Sequence, residues 1–279
     1  MEILRYVAFS SDPRGGNPAG VVLDATGIDE ATMAAVAAEV GYSETAFVVP
    51  RPDGALDIRY FSPQTEVPFC GHATIATAVA HASRHGVGRL LLHTRAGTVP
   101  VTTSTAPDGS VTATLVSVEP RTTDLADADL AELLATLGWS AADLDPALPP
   151  QVAYAGAWHP VIAAADRARL ADLDYDMPAL NALMARRNWT TIALVHRESD
   201  TVFHARNAFP PGGVVEDPAT GAAAAALGGY LRRNGLVTPP TVLTVHQGVD
   251  MGRPSLLTVA IPADPAAGIE VTGTAVPLP

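Results

Sequence analysis

The sequence has 279 residues, enough for one large domain or two ordinary ones, and 48% hydrophobic against 16% charged residues exclude disorder as the main state. The net charge is −12 and the pI about 4.9, with no basic run longer than pairs such as Arg186-Arg187 and Arg232-Arg233, which excludes a nucleic-acid partner. Cys70 is the single cysteine, so an intramolecular disulfide and a zinc centre built from several cysteines are excluded, and a reducing, cytoplasmic setting is expected.

In chain order, residues 1–7 read as a strand, without the basic flank and apolar core of a signal peptide. A buried strand starts at Glu44-Thr45-Ala46-Phe47-Val48. The first helix is predicted over residues 73–85, with Gly86 as its stop. Strands follow at 89–93, 99–103 and 111–118, and Pro107-Asp108-Gly109 is the turn between the last two. The stretch 119–151 carries a helical pattern at 129–137. It is then broken by Asp145-Pro146-Ala147-Leu148-Pro149-Pro150. A second helix is predicted over 219–233 with Gly235 as its stop, followed by strands at 241–246 and 255–261. Residues 268–276 read as a last strand. The most apolar stretch, 221–231, is too short to span a membrane, so no membrane partner is expected.

An internal repeat organises these elements. One shift carries Glu44-Thr45-Ala46-Phe47-Val48 onto Thr190-Thr191-Ile192-Ala193-Leu194, and Cys70-Gly71-His72-Ala73-Thr74 onto Glu216-Asp217-Pro218-Ala219-Thr220. Both copies run strand, loop, motif, alanine-rich helix and glycine stop, so duplication is the better reading. The boundary is placed near Arg121, giving domains 1–120 and 121–265. The strand in 266–279 is a candidate to return to the first.

Three first-half motifs stand out: Gly16-Asn17-Pro18-Ala19-Gly20-Val21, Ser43-Glu44-Thr45-Ala46-Phe47 and Pro68-Phe69-Cys70-Gly71-His72-Ala73-Thr74. In the second half they are Glu216-Asp217-Pro218-Ala219-Thr220-Gly221 and Gln247-Gly248 with Met251-Gly252-Arg253-Pro254-Ser255. Together, in this order and over nearly the whole chain, they resemble the PhzF-like family of phenazine biosynthesis. The resemblance implies an α+β fold related to diaminopimelate epimerase: two pseudo-symmetric domains, each a curved sheet wrapped around a central helix. It also implies a homodimer and a cofactor-independent isomerase working in an interdomain cleft. The family's best-known activity is the isomerisation of trans-2,3-dihydro-3-hydroxyanthranilate without metal or organic cofactor.

An isomerase that moves a proton needs a group that takes it and returns it, and a carboxylate set among apolar residues suits that task. Glu44 has such flanks, and its counterpart in the second half is Thr190, which cannot act as a base. The local alternative is a solvated loop glutamate; the resemblance makes Glu44 the acid–base group. His72, just before the first helix, reads as a capping or packing histidine or as a proton relay, and the resemblance places it at the substrate. Asp217 has a strong structural reading as an N-terminal helix signal, and the resemblance gives it a substrate-holding role as well. Glu216 reads as solvated or structural. Gly71 and Gly221 allow a substrate carboxylate to approach helix N–H groups, and Ala73, Thr220 and Ala222 complete the expected binding set. Many members of the resembled family carry Ser where this chain has Ala222, so a hydroxyl contact to the phenazine substrate is missing here.

Cys70 tests the relation to diaminopimelate epimerase, which uses one thiol from each half; the second half here has none. Cys70 is expected to be a small packing residue, on the reading that it and His72 point to opposite faces of an extended segment. His81, His85, His93, His159, His196, His204 and His246 are read as lacking metal-ligand spacing on an assigned helix. Gly15-Gly16-Asn17-Pro18 lacks the Lys-Ser/Thr of a phosphate loop. No metal and no cofactor are therefore expected. The rival functions are an epimerase-like enzyme on another substrate and a non-catalytic small-molecule binding protein of the same fold.

Overall fold

Residues 1–279 are described by the computed structural model, and they divide into two units. Unit 1 is Met1–Val116 with Thr272–Pro279, and unit 2 is Ser117–Val271. Both carry mixed sheets with helices, an α+β architecture.

Unit 1 contains β1 (Leu4–Ala8), β2 (Asn17–Val22), α1 (Glu30–Val40), β3 (Glu44–Pro50), β4 (Leu56–Phe61), β5 (Glu66–Val67), α2 (Gly71–His85), β6 (Arg89–Thr94), β7 (Gly97–Thr105) and β8 (Val111–Val116). The C-terminal strand β17 (Glu270–Pro277) lies in this unit from Thr272 onward. β1 is antiparallel to β2, β2 parallel to β3 across the α1 crossover, β3 antiparallel to β4, and β4 parallel to β6. β6, β7 and β8 continue antiparallel, and β17 pairs with both β8 and β1, closing a ring of eight strands. The two-residue β5 takes the end of the β4 edge that β6 leaves free, Tyr60 opposite Val67 and Phe61 opposite Glu66.

α2 runs against β1, β2, β3, β7 and β8, and every residue from His72 to Ala80 is buried. Its alanines explain this: a helix coated in small apolar side chains can be enclosed on all sides. It begins at Gly71, two residues before the predicted start, so His72 lies in the first turn rather than ahead of the helix. It ends at Gly86, whose φ of 88° no other residue adopts cheaply. The sequence reading missed α1. Its signals are the caps: Asp29 accepts from Thr32 N–H at 2.8 Å, and Gly41 closes the helix at φ 71°. Met33, Val36 and Ala37 pack it on Val22, Phe47 and Phe61.

Unit 2 contains β9 (Arg121–Asp124), α3 (Asp127–Thr136), β10 (Gln151–Tyr154), β11 (Trp158–Ala163), α4 (Arg167–Ala171), α5 (Met177–Arg187), β12 (Ile192–Arg197), β13 (Val202–Ala208), β14 (Glu216–Asp217), α6 (Gly221–Arg233), β15 (Thr241–Gln247) and β16 (Ser255–Ile261). From β10 the pairings run antiparallel to β11, parallel to β12, antiparallel to β13, parallel to β15 and antiparallel to β16. β14 sits on β13 as β5 sits on β4, and β9 lies antiparallel on β10. This is the succession seen in unit 1 from β1 to β7. α6 packs against β9, β10, β11 and β16, with Ala223–Leu231 buried, and it starts at Gly221 rather than at 219. α3 and α5 pack on each other, and Leu133, Leu137, Leu180, Leu183 and Met184 join Ile192 and Leu194 of β12 in one apolar cluster. No helix in the chain is long and apolar enough to cross a membrane.

His159 on β11 is fully buried, its Nδ1 2.8 Å from Thr191 Oγ1 and its Nε2 without a partner. Burial pushes this imidazole down to about 4. Its folded value lies below its unfolded one, so its contribution to stability is complete above the unfolded value of about 6.5 and is lost as pH falls toward 4. The three tryptophans, Trp139, Trp158 and Trp189, all lie in unit 2, so their fluorescence reports its unfolding. Urea midpoints read by fluorescence are expected to drop between pH 6.5 and 4, and to drop less in His159→Gln. Equal slopes would assign the acid sensitivity to other groups.

Candidate active site

One end of the unit 1 ring gathers the polar residues of three segments. β2 and β3 run parallel with Ala19 beside Glu44, so the starts of both strands lie together. Asn17 opens β2 and Glu44 opens β3. Gly16 delivers Asn17 through a turn at φ 59°, where an added Cβ would stand 2.4 Å from Ala8 O; only glycine fits. The third segment is the start of α2. Cys70 is its N-cap, and Thr74 ties the turn down by donating to Cys70 O at 2.7 Å. Tyr60, whose hydroxyl pKa is raised by burial, lies 2.5 Å from the Thr74 hydroxyl.

His72 is the hub. Its Nδ1 lies 3.1 Å from Asn17 Nδ2, and an amide nitrogen only donates, so Nδ1 accepts and Nε2 carries the ring proton. Nε2 lies 3.3 Å from Glu44 Oε2 and 3.3 Å from Ser43 Oγ. Cys70 Sγ donates to the same Glu44 oxygen at 3.4 Å and is 3.4 Å from His72 Nδ1. The Glu44 carboxylate therefore receives an imidazole N–H and a thiol while its side chain stays 15% exposed. Such a group is reachable by a small ligand and already oriented.

This geometry corrects the packing assignment of Cys70. The thiol is buried, but it faces Glu44 and His72. The expectation of opposite faces misjudged the period: side chains two apart on extended chain share a face, and here the chain also turns into helix at Gly71. Asn17 and Ser43, inside the motifs singled out from the sequence, were given no role there; their link to His72 spans many residues and leaves no local pattern.

Of the residues expected in the second half, Asp217, Thr220 and Gly221 come together within unit 2. Thr220 Oγ1 donates to Asp217 Oδ2 at 2.5 Å. Gln247 donates to Asp217 O at 2.7 Å and to Thr220 Oγ1 at 3.0 Å, and accepts from Thr220 N–H at 3.1 Å. Asp217 is not the helix cap: it lies on β14 opposite Asn207, three residues before the N-cap Thr220. Neither α2 nor α6 has a side-chain cap, so no side chain holds the N–H groups of Gly71 or Gly221 in those first turns. Ala73 is fully buried and can offer a ligand only its backbone, whereas Ala222 is partly exposed.

Glu216 is structural rather than solvated. It is buried and paired with buried Arg206, whose Nε donates to Oε2 at 3.0 Å and whose Nη1 donates to Ala171 O at 2.6 Å. The corresponding strand in unit 1 has a similar clamp: Arg59 donates to Glu66 at 2.7 and 2.6 Å, and Arg95 lies 2.6 Å from the same carboxylate, so Glu66 answers to Glu216 and the N-cap Cys70 to the N-cap Thr220, four residues on from where the sequence shift laid it. In each unit an Arg–Glu pair fixes the two-residue strand that leads into the polar cluster. His81 and His85 correct another expectation. They stand one turn apart on α2 with ring centroids 4.4 Å apart, a spacing that can chelate a cation.

The family model described as phenazine biosynthesis-like protein matches residues 6–279. A trans-2,3-dihydro-3-hydroxyanthranilate isomerase of Pseudomonas chlororaphis is 34% identical, over 96% of this chain and 94% of its own. An uncharacterized isomerase of Bacillus subtilis is 31% identical, over 99% and 96%. A Bacillus anthracis phenazine biosynthesis protein of the PhzF family has a crystal structure that superposes with a TM-score of 0.87 at 26% identity, covering 100% of this chain and 98% of that one.

Proposed function

The chain belongs to the phenazine biosynthesis-like family, whose curated relatives named above are isomerases, and on that premise we propose that it moves a proton within a small carboxylate substrate without metal or organic cofactor. The observation that carries this reading is the Glu44 carboxylate, partly open and met by His72 Nε2 and Cys70 Sγ. Glu44 takes a proton from an activated C–H and returns it to another carbon on the same face. The His72 N–H orients the carboxylate and steadies its charge while the proton is away. Asp217, held by Thr220 and Gln247, holds the substrate. The first-turn N–H groups at Gly71 and Gly221 suit a carboxylate anion, with Ala73, Thr220 and Ala222 as their neighbours.

We also propose that the two units are copies of one ancestral domain, with boundaries near residues 116 and 271. The same succession of strand pairings and the clamp present in each support this. The base occurs once: with Thr45 opposite Phe61 and Ile192 opposite Ala208, the residue that answers to Glu44 is Thr191, one past the Thr190 of the sequence shift, and a threonine cannot act as a base. Trans-2,3-dihydro-3-hydroxyanthranilate is the first substrate to try, and an analogue with a different ring substituent the second, because Ala222 offers no hydroxyl. A cytoplasmic homodimer completes the reading.

The test is turnover in D₂O: a converted substrate should gain deuterium or carry its own hydrogen to a new carbon. A ligand that binds without conversion or exchange would favour a non-catalytic binding protein. Dialysis against chelator should leave activity intact; loss restored by one added metal would overturn cofactor independence. Cys70→Ala is expected to lower turnover by about tenfold or less. A thiol is a weak donor, and about 1.4 kcal/mol corresponds to one factor of ten. A loss as large as that of a Glu44 variant would make the thiol a proton carrier in its own right.

A further inference from the structure

We propose that Glu44, Cys70 and His72 also form a site for one thiophilic divalent cation of the zinc or cadmium kind, and that its occupancy stops the proton transfer. Only the inhibition rests on the proposed function; the binding does not.

The three donor atoms already have the spacing of a coordination shell. Cys70 Sγ and Glu44 Oε2 are 3.4 Å apart, Glu44 Oε2 and His72 Nε2 3.3 Å, and Cys70 Sγ and His72 Nε2 3.8 Å. Tetrahedral zinc bonds of about 2.3 Å to sulfur and about 2.0–2.1 Å to nitrogen and oxygen place neighbouring donors about 3.3–3.6 Å apart. The triangle is close to one face of that tetrahedron. The side chains are largely enclosed, 7% exposed for His72 and 15% for Glu44, so little ordering cost remains for a cation to meet.

The donor chemistry selects the ion. A thiolate, an imidazole and a carboxylate favour zinc and cadmium over magnesium and calcium, which take oxygen ligands. Three protein ligands leave a fourth position for water or a substrate carboxylate. Asn17 faces the far nitrogen of His72; once Nδ1 carries the ring proton, the Asn17 amide must turn over so that its Oδ1 accepts that proton and fixes the ring. On binding, the thiol releases its proton to solvent, and the ring proton moves from Nε2 to Nδ1, so one proton leaves per cation. Glu44, now a ligand, cannot accept a substrate proton.

Cys70 is the single cysteine, so the ultraviolet charge-transfer band of a cadmium–thiolate bond reports this site alone. The full chain is titrated with cadmium, then with zinc in competition. The expected result is a band that saturates at one cadmium per chain and is displaced by zinc. Cys70→Ser should abolish it, and Glu44→Gln and His72→Asn should each weaken binding by at least about 10-fold, the lower range for disturbing even an outer partner. His85→Gln, which opens the helical His81–His85 pair, should leave the band unchanged. Absence of the band in the unmodified protein would overturn the proposal. So would unchanged midpoints in Glu44→Gln and His72→Asn, because the thiol would then bind alone. Normal turnover by Glu44→Gln would overturn the proposed base and leave the cadmium titration to be judged separately.

Discussion

Glu44→Gln is expected to lower turnover by at least about 100-fold, because a positioned acid–base group contributes about 10²–10⁴ in rate. The amide keeps the size of the carboxylate, and its oxygen still accepts from His72 and Cys70, so the cluster should hold its shape. What it loses is the capacity to take a proton and return it. The loss should fall on kcat, with substrate binding changed much less, since the missing interaction develops only in the transition state. Both proteins are incubated with a converted substrate in D₂O and the label is followed by mass spectrometry. A variant that turns over and labels like the parent would move the base to His72 or Asp217.

Arg206→Met is expected to cost about 3–5 kcal/mol of unit 2 stability, the usual penalty for breaking a buried ion pair and leaving one charge behind. Arg206 and Glu216 are both buried, and the guanidinium also donates to Ala171 O, so its removal takes a partner from both the carboxylate and that carbonyl. The second expectation separates the charge from the packing. Arg206→Met with Glu216→Leu should recover most of the loss, since an apolar pair of similar volume avoids the stranded carboxylate. Urea unfolding followed by the unit 2 tryptophans measures both. A single variant as stable as the parent would show that Glu216 finds another partner, and the clamp would not be what holds β14.

The long alanine-rich helices were legible because their character is local: apolar residues on every side, a glycine at each end, strands on both flanks. α1 and α5 were missed although their caps are present, Asp29 with Gly41 and Asp176 with Asn188, because alanine and surface residues blur the apolar stripe between them. β5 and β14 were beyond any periodicity argument, since two residues contain no period; what makes them strands is their pairing with β4 and β13. In the site, Glu44, His72 and Asp217 stood out by chemical type within the motifs. Asn17, Ser43 and the orientation of Cys70 did not, because their partners are fixed by the β2–β3 register and the entry into α2.

The closing of the unit 1 ring by β17 has a consequence for how the chain is made. Residues 272–277 of β17 leave the ribosome only after the whole of unit 2, yet β1 and β8, which flank them, are completed before unit 2 begins. At about 5–20 residues per second, the first unit waits on the order of ten seconds with two unpaired strand edges while the second emerges and is free to fold. The usual N-to-C order of domain maturation is therefore inverted. Those open edges are the kind of surface that recruits chaperones or pairs with a neighbouring nascent chain. A chain released before Thr272 would carry every residue of the Glu44 cluster on a barrel that never shuts.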